Sequence, residues 1–412
     1  MRISTNQLYQ NGINAIGRQQ SELLSVYQQI SSGRRMVTPA DDPLAAAQAI
    51  NISQSKSLSE RLAANRNTAL QNLSIEESVL NNITQRYQEI KQRLVEAGNG
   101  TLSDIDRQTL GEVFSNLKDN LLALANSTDG TGQFLFSGYQ GDSAPFIVGA
   151  DGSVQWTGDQ GKRLIQVDTT RQISTSDDGK SIFMTATGSS RSYFTKSATS
   201  NTGSGVISSP SVTDPNGQYV GKNFEIEFAG DPLEYVVHVR DKDGTLLETT
   251  TPAAWDGKAS SIQLPGGVRV DFSGQPEAGD TFEVRYVQGE DINVFNTLDQ
   301  VIAALNTPIS NDPKAEAQFR NAMATALQLV EENYNTVLTV RSSVGSRMNE
   351  IETLNDAGVQ QVLSYESELS RLEGLDLYTA TIDLNLKLAG LEAASAAFKK
   401  IQGLSLFTMN GS

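Results

Sequence analysis

The chain has 412 residues, a net charge of −16, 38% hydrophobic and 7% aromatic residues, and no cysteine. That length suits two or three domains, and the low apolar fraction favours an extended body with much exposed surface over one large spherical core. The negative charge argues against a nucleic-acid partner, and the missing cysteines exclude disulfides, thiolate metal sites and thiol nucleophiles.

The first helical signal runs from about Asn6 to Ile30, with Leu8, Ile16, Leu23, Tyr27 and Ile30 on one stripe. Ser31-Ser32-Gly33 supplies a stop, since glycine suits the left-handed position after a helix. In Thr38-Pro39-Ala40-Asp41-Asp42-Pro43 two prolines flank two aspartates. That pattern spells a rigid turn in which Asp42 caps a new helix beginning at Pro43; a catalytic or metal-binding pair is the weaker reading. The second helix is predicted from Pro43 to about Ala97 and would be roughly 80 Å long. Its later half keeps a four-three spacing through Leu80, Ile83, Tyr87, Ile90, Leu94 and Ala97, the rhythm of a helix-packing seam. A third helix, from about Asp104 to Ala125, repeats the rhythm with Leu110, Phe114, Leu117, Leu121 and Leu124.

After Ser127 the texture changes to short alternating runs between glycine-rich turns. Examples are Leu164-Ile165-Gln166-Val167, Asn223-Phe224-Glu225-Ile226-Glu227-Phe228 and Thr281-Phe282-Glu283-Val284-Arg285-Tyr286. Their alternation predicts half-exposed antiparallel sheet. Residues 197–217, rich in Ser, Thr, Gly and Asn, read as a linker, with Gly203-Ser204-Gly205 as slack chain. Asp241-Lys242-Asp243-Gly244 reads as a hairpin turn, because the remaining ligands of a calcium loop are absent. Helix returns near Asn296, and from Lys314 a seam runs through Phe319, Met323, Ala326, Val330, Asn333, Val337, Val340 and Val344. Asn333 is a polar break of the kind that sets register. The last helix, about Leu375 to Ile401, lines one face with Ile382, Leu386, Ala389, Ala393 and Ala396 and another with Leu384, Leu388 and Leu391, so it needs more than one neighbour.

The resulting fold class is α+β and multidomain: a long antiparallel coiled-coil bundle formed by both chain ends, with an inserted antiparallel β domain. Residues 1–42 and 370–412 are expected to form the terminal helices, and 43–134 with 291–369 a second helical region. Residues 135–290 form the β-rich outer domain, which the linker would split into lobes at 135–195 and 218–290. No run approaches the ~18 apolar residues of a membrane span. The start, Met1 to Gln7, lacks the apolar stretch of a cleaved signal, so the expected location is the cytosol or a destination reached without one.

Both ends resemble the bacterial flagellin superfamily. The resemblance rests on Arg2-Ile3-Ser4-Thr5-Asn6-Gln7, Gln29-Ile30-Ser31-Ser32-Gly33-Arg34-Arg35 and Pro39-Ala40-Asp41-Asp42-Pro43-Leu44, in that order and spacing. In the other half Val340-Arg341-Ser342-Ser343-Val344-Gly345-Ser346-Arg347-Met348-Asn349, Asp383-Leu384-Asn385-Leu386 and Ala396-Ala397-Phe398 continue it. About 240 residues are covered. The ending Gly403-Leu404-Ser405-Leu406-Phe407, the exit Phe134-Leu135-Phe136-Ser137-Gly138-Tyr139 and the re-entry Asn296-Thr297-Leu298-Asp299 resemble the hook–filament junction (hook-associated protein 3) family more than filament flagellin. The tail Thr408 to Ser412 and the long middle depart from that pattern.

The resemblance implies a secreted, extracellular structural subunit that polymerises as a helical ring. Its implied partners are further copies of itself, the first hook–filament junction protein, flagellin, and an export chaperone before secretion through the flagellar type III apparatus. It implies no enzyme activity, no cofactor, no metal, no nucleic acid and no membrane. The expected assembly interface comprises Leu8, Ile16, Leu23, Tyr27, Ile30, Ile382, Leu386, Ala389, Ala393, Leu404, Leu406 and Phe407, with residues 1–40 and 370–407 ordering when the chain joins its layer. Filament flagellin is the nearest rival reading. A carbohydrate-binding adhesin is the rival of another class, resting on Trp156 and Trp255, for which core packing is the competing role. The single histidine, His238, sits in a strand and makes no catalytic or metal-binding motif.

Overall fold

The structure is a computed structural model and describes residues 5–185, 192–258, 260–287 and 292–409. Three helices come first: α1 (Thr5–Ser32), α2 (Pro43–Ala97) and α3 (Asp104–Ala125). Two small hairpins follow, β1 (Phe146–Val148) with β2 (Val154–Trp156), and β3 (Leu164–Gln166) with β4 (Gln172–Ser174), then the short α4 (Gly179–Phe183). The remaining strands are β5 (Tyr193–Ser197), β6 (Val206–Ile207), β7 (Ser211–Val212), β8 (Asn223–Ala229), β9 (Glu234–Arg240), β10 (Leu246–Thr249), β11 (Ala253–Ala254), β12 (Ser260–Leu264), β13 (Val268–Ser273) and β14 (Thr281–Tyr286). Helices α5 (Val294–Asn306), α6 (Pro313–Glu373) and α7 (Leu377–Met409) complete the chain. The chain divides into two compact units, residues 1–64 with 353–412 and residues 65–352, and the division falls within α2 and within α6.

In the 65–352 unit, the α2 seam is buried along its length: Leu73, Leu80, Ile83, Tyr87, Ile90, Leu94 and Ala97 are all essentially inaccessible. On α6 the matching set is Phe319, Met323, Ala326, Val330, Asn333, Val337 and Val344. Asn333 is fully buried; its Nδ2 donates to the Leu329 carbonyl at 3.0 Å, while its Oδ1 has no partner among the described residues. Helix α3 opens on a capping box between Ser103 and Asp106 and packs on α5, with Lys118 paired to Asp299 at 2.5 Å. The exit and re-entry sequences converge. Phe136, Phe146, Phe183 and Phe295 form one buried aromatic cluster with ring centroids 5.3–6.0 Å apart.

The strands from β5 onward form two sheets with antiparallel pairing throughout. One has the order β10-β9-β8-β14-β5, with β11 on β9, and the other β12-β13-β6, with β7 on β13. Alternate residues of β8, β13 and β14 point inward, which is why Phe228, Phe272 and Phe282 meet edge to face or tilted in the shared core. The 197–217 stretch departs from the expected linker. It supplies β6 and β7, and the Asp280 carboxylate accepts from the backbone of Thr202 at 2.7 Å and of Gly203 at 3.1 Å. Small polar residues signal slack chain in a sequence, but here they let backbone approach a buried carboxylate. β5 pairs with β14 and so belongs with these sheets rather than with the preceding hairpins. Asp241–Thr245 forms the hairpin turn read from sequence, closed by Gly244 N–H to the Asp241 carbonyl at 3.0 Å.

Leu94 is 2% exposed in the α2 seam. Leu94→Asp buries an unpaired carboxylate there and is expected to lower stability by about 3–5 kcal/mol. A thermal or urea melt of the full chain checks it; an unchanged midpoint would show that the seam is misassigned.

Candidate assembly surface

Helices α1 and α7 pair antiparallel within the 1–64 and 353–412 unit. Gly12 lies against Phe398, Gln19 against Gly390, and Glu22 is hydrogen-bonded to Lys387 at 2.6 Å. That hydrogen bond holds the Glu22 carboxyl below its ordinary value and raises the Lys387 ammonium. A Cβ on Gly12 would stand 2.6 Å from the Phe398 ring, so glycine sets how closely the helices approach here. The contacting side of α1 carries Gly12, Ile16, Gln19, Leu23, Val26 and Ile30, and that of α7 carries Ala380, Leu384, Lys387, Leu391, Ala394 and Phe398. Both keep the four-three rhythm of a coiled-coil seam.

A clasp joins this pair to the neighbouring stretches of α2 and α6. Arg34 and Gly374 form an antiparallel bridge, with Arg35 N–H donating to Glu373 O at 2.7 Å and Leu375 N–H to Gly33 O at 3.2 Å. Gly33 takes φ +68°, the left-handed position its place after α1 requires. The Arg35 guanidinium reaches both Asp42 at 3.2 Å and the Leu372 carbonyl at 3.1 Å. Asp42 accepts from the Ala45 backbone and Asp41 from those of Val37 and Thr38, and these bonds hold both carboxyls below their ordinary values. The two aspartates are thus a turn and a helix cap. Asp376 performs the same service at the start of α7. Behind the clasp, Ala45, Ala49 and Leu372 pack with Met36, Ile52 and Leu369.

The expected interface residues divide between two faces. Ile16, Leu23 and Ile30 are half-buried in the α1–α7 seam, whereas Tyr27 is 63% exposed. Ile382, Leu386, Ala389 and Ala393 are all exposed, Leu386 at 65%, and form a second four-three stripe on α7 that α1 leaves uncovered. Leu8, Leu404, Leu406 and Phe407 lie on helical backbone, and their side chains fall outside the described residues. Sequence reasoning missed Tyr9, Ile13 and Leu24, which are exposed alongside Tyr27. Their signal was present as a second apolar stripe on α1, spaced 9, 13, 20, 24, 27 with Gln20 in the gap.

A groove of about 480 Å³ between β5, α5 and the start of α6 is lined mainly by alanine, threonine and glutamine, with Lys196 its one charged side chain. No cluster of three metal-ligating side chains occurs among the described residues, and no described helix is long and apolar enough to cross a membrane. Trp156 packs on Phe146 at 5.0 Å, and Trp255 on Phe228 and Phe272, so neither is a free ligand platform. His238 lies on an outer strand face beside Thr249 and Glu227.

Comparison with known proteins bears on the whole chain. Residues 3–141 match the family described as the bacterial flagellin N-terminal helical region. Over 410 residues, all of both chains, the sequence is 28% identical to flagellar hook-associated protein 3 of Salmonella typhimurium. The crystal structure of the flagellar junction protein FlgL from Legionella pneumophila is 26% identical with a TM-score of 0.67, covering 79% of this chain and 100% of that one. A flagellin of Salmonella oranienberg matches at 27% over 302 residues, covering 69% of this chain and 55% of that protein. The chain is thus similar to flagellins over its N-terminal helical region, and over its full length to flagellar hook-associated protein 3.

Proposed function

We propose that the protein is a structural subunit of the bacterial flagellum that self-assembles at the hook–filament junction and links the first junction protein on the hook to the flagellin filament. One observation carries the reading. Helix α7 is apolar on two faces, and α1 covers only one of them, so Ile382, Leu386, Ala389 and Ala393 stand in water on the isolated chain. A helix apolar on several sides is a buried helix, and the natural cover for this stripe is further copies of the same chain. Tyr9, Ile13, Leu24 and Tyr27 extend the same surface on α1.

The partners follow from the same faces: copies of the chain within a ring, the first junction protein below it and flagellin above it. Before secretion the α7 stripe is the surface an export chaperone would hold. The proposed role is structural, on the flagellum outside the cell. Filament flagellin is the weaker reading, because similarity to hook-associated protein 3 runs the full length of both chains while the flagellin match leaves much of that protein uncovered. Immunogold labelling of isolated flagella separates the two: a thin band at the filament base supports the proposal, and label along the filament overturns it.

Two substitutions test the division between seam and outer stripe. Leu386→Asp, on the exposed stripe, is expected to leave the melting curve of the purified chain unchanged and to abolish swimming. Normal motility in cells carrying only this variant would sink the assembly assignment. Val26 is 7% exposed on the α1–α7 seam, and Val26→Asp is expected to weaken that pairing by about 2–4 kcal/mol. Circular dichroism should register it as lost helix signal with the β signal retained; full helicity would mean that the seam residues have been misassigned.

A further inference from the structure

Within the 65–352 unit one position of the α2 seam breaks the apolar rule. The rhythm that places Ala69, Leu73, Leu80 and Ile83 in the interior also places Glu76 there, 1% exposed. On α6 the same rhythm, running through Val337, Val344 and Ile351, brings Arg347 inward. The segment after β4 fills the space between the two helices, and Thr175, Ser176, Asp177 and Asp178 are all buried.

Glu76 Oε1 accepts the Asp177 backbone N–H at 3.1 Å, while Oε2 is buried with no hydrogen-bond partner among the described residues. The charged groups around it are already committed. The Arg347 guanidinium pairs with the Asp177 carboxylate and donates to Ser174 O at 2.8 Å. Lys162 lies 3.4 Å from the other oxygen of Asp177. Arg163 donates to Gln133 at 2.8 Å and to Phe134 O at 3.2 Å, and on α2 itself Glu77 is paired with Arg341. Asp177 thus holds Lys162 and Arg347 while Arg163 is bonded elsewhere, and a second negative charge on Glu76 would face Asp177 in a dry seam without a counter-ion of its own.

We propose that Glu76 is a proton-operated pin: protonated, it holds residues 174–178 between α2 and α6, and ionised, it drives that segment out. Burial first, and then the Asp177 charge, pushes the Glu76 carboxyl up to about 8 from an ordinary 4.5, with Arg347 opposing. A carboxyl raised on folding contributes stability that is fully present below its unfolded value and is lost as pH rises through its folded value. The segment is therefore held firmly in acid and loosens from about pH 5 to about pH 8. The pin is a property of the single chain and stands apart from the assembly proposed above.

The test compares the full chain with its Glu76→Gln variant, which keeps the shape and removes the titration. Urea unfolding at intervals from about pH 5 to about pH 9 should show the wild-type unfolding constant rising by up to about tenfold per pH unit relative to the variant, then levelling near pH 8. A ratio that stays constant over that range overturns the proposal. Because the chain has no cysteine, Ser176→Cys in both backgrounds reports opening of the segment itself. Its protection from a thiol reagent, normalised to the urea-unfolded chain, should fall with pH only where Glu76 is present; equal protection profiles count against the pin. Should Glu76→Gln fail to fold, carbon-13 NMR of the Glu76 carboxyl in the wild type decides: a midpoint above about pH 6 supports the pin and one below it overturns it.

Discussion

Apolar side chains spaced alternately four and three residues apart on α2 and α6 impose the constraint on which the rest of this structure depends. Once Leu80, Ile83, Tyr87, Ile90 and Leu94 are buried in one seam, and Phe319, Met323, Val330 and Val337 in the other, the chain must leave the helical layer and return to it. The aromatic cluster of Phe136, Phe146, Phe183 and Phe295 closes that excursion, since it takes residues from both the exit and the return. With the root of the excursion tied down, the sheets from β5 to β14 have their own core and are fixed to α6 by Asn321 and Gln328.

The polar residues within the seams are as informative as the apolar ones. Asn333 satisfies one of its groups on its own helix and leaves the other bare, a cost that a seam chosen for stability alone would avoid. Glu76 and Arg347 occupy equivalent positions on α2 and α6 and are tolerated because a β-hairpin segment brings them Asp177 and the Ser174 carbonyl. Arg347 and Glu76 thereby tie α6 and α2 to one segment, an alignment that a shifted register would lose, whereas the Asn333 bond lies within its own helix.

Helix positions, the α2 seam and the turn at Asp41 and Asp42 were legible in the sequence, because they are set by local rules: periodicity, proline placement and capping. The predicted start and end of α2, Pro43 and Ala97, agree with the structure because Asp42 and Pro43 announce one end and Asn99-Gly100 follow the other. The 197–217 stretch was not legible. Its serines and glycines look like slack chain until Asp280, some eighty residues later, is placed beside them. Glu76 was hidden for the same reason, as an acidic residue on a long helix reads as solvent-facing unless the seam is traced back past Leu80. On α7 the two apolar faces could be read from spacing, but only the pairing with α1 decides which of them remains in water.

The clasp between Gly33–Arg35 and Glu373–Leu375 has a kinetic meaning. Glu22 and Lys387 are separated by 365 residues, and the clasp, whose Arg35–Leu372 bond spans 337, carries nearly the whole of that loop-closure entropy for the pair. With the clasp made, the two helices depart from adjacent points and can zip outward one turn at a time. Val26 and Ala380, toward the clasp end of the seam, are its most enclosed residues, while Gly12 and Phe398 farther out are half-covered. Amide exchange in the isolated chain would then be slowest beside the clasp and quicken toward both termini, so the two strands of the zipper open from their free ends together.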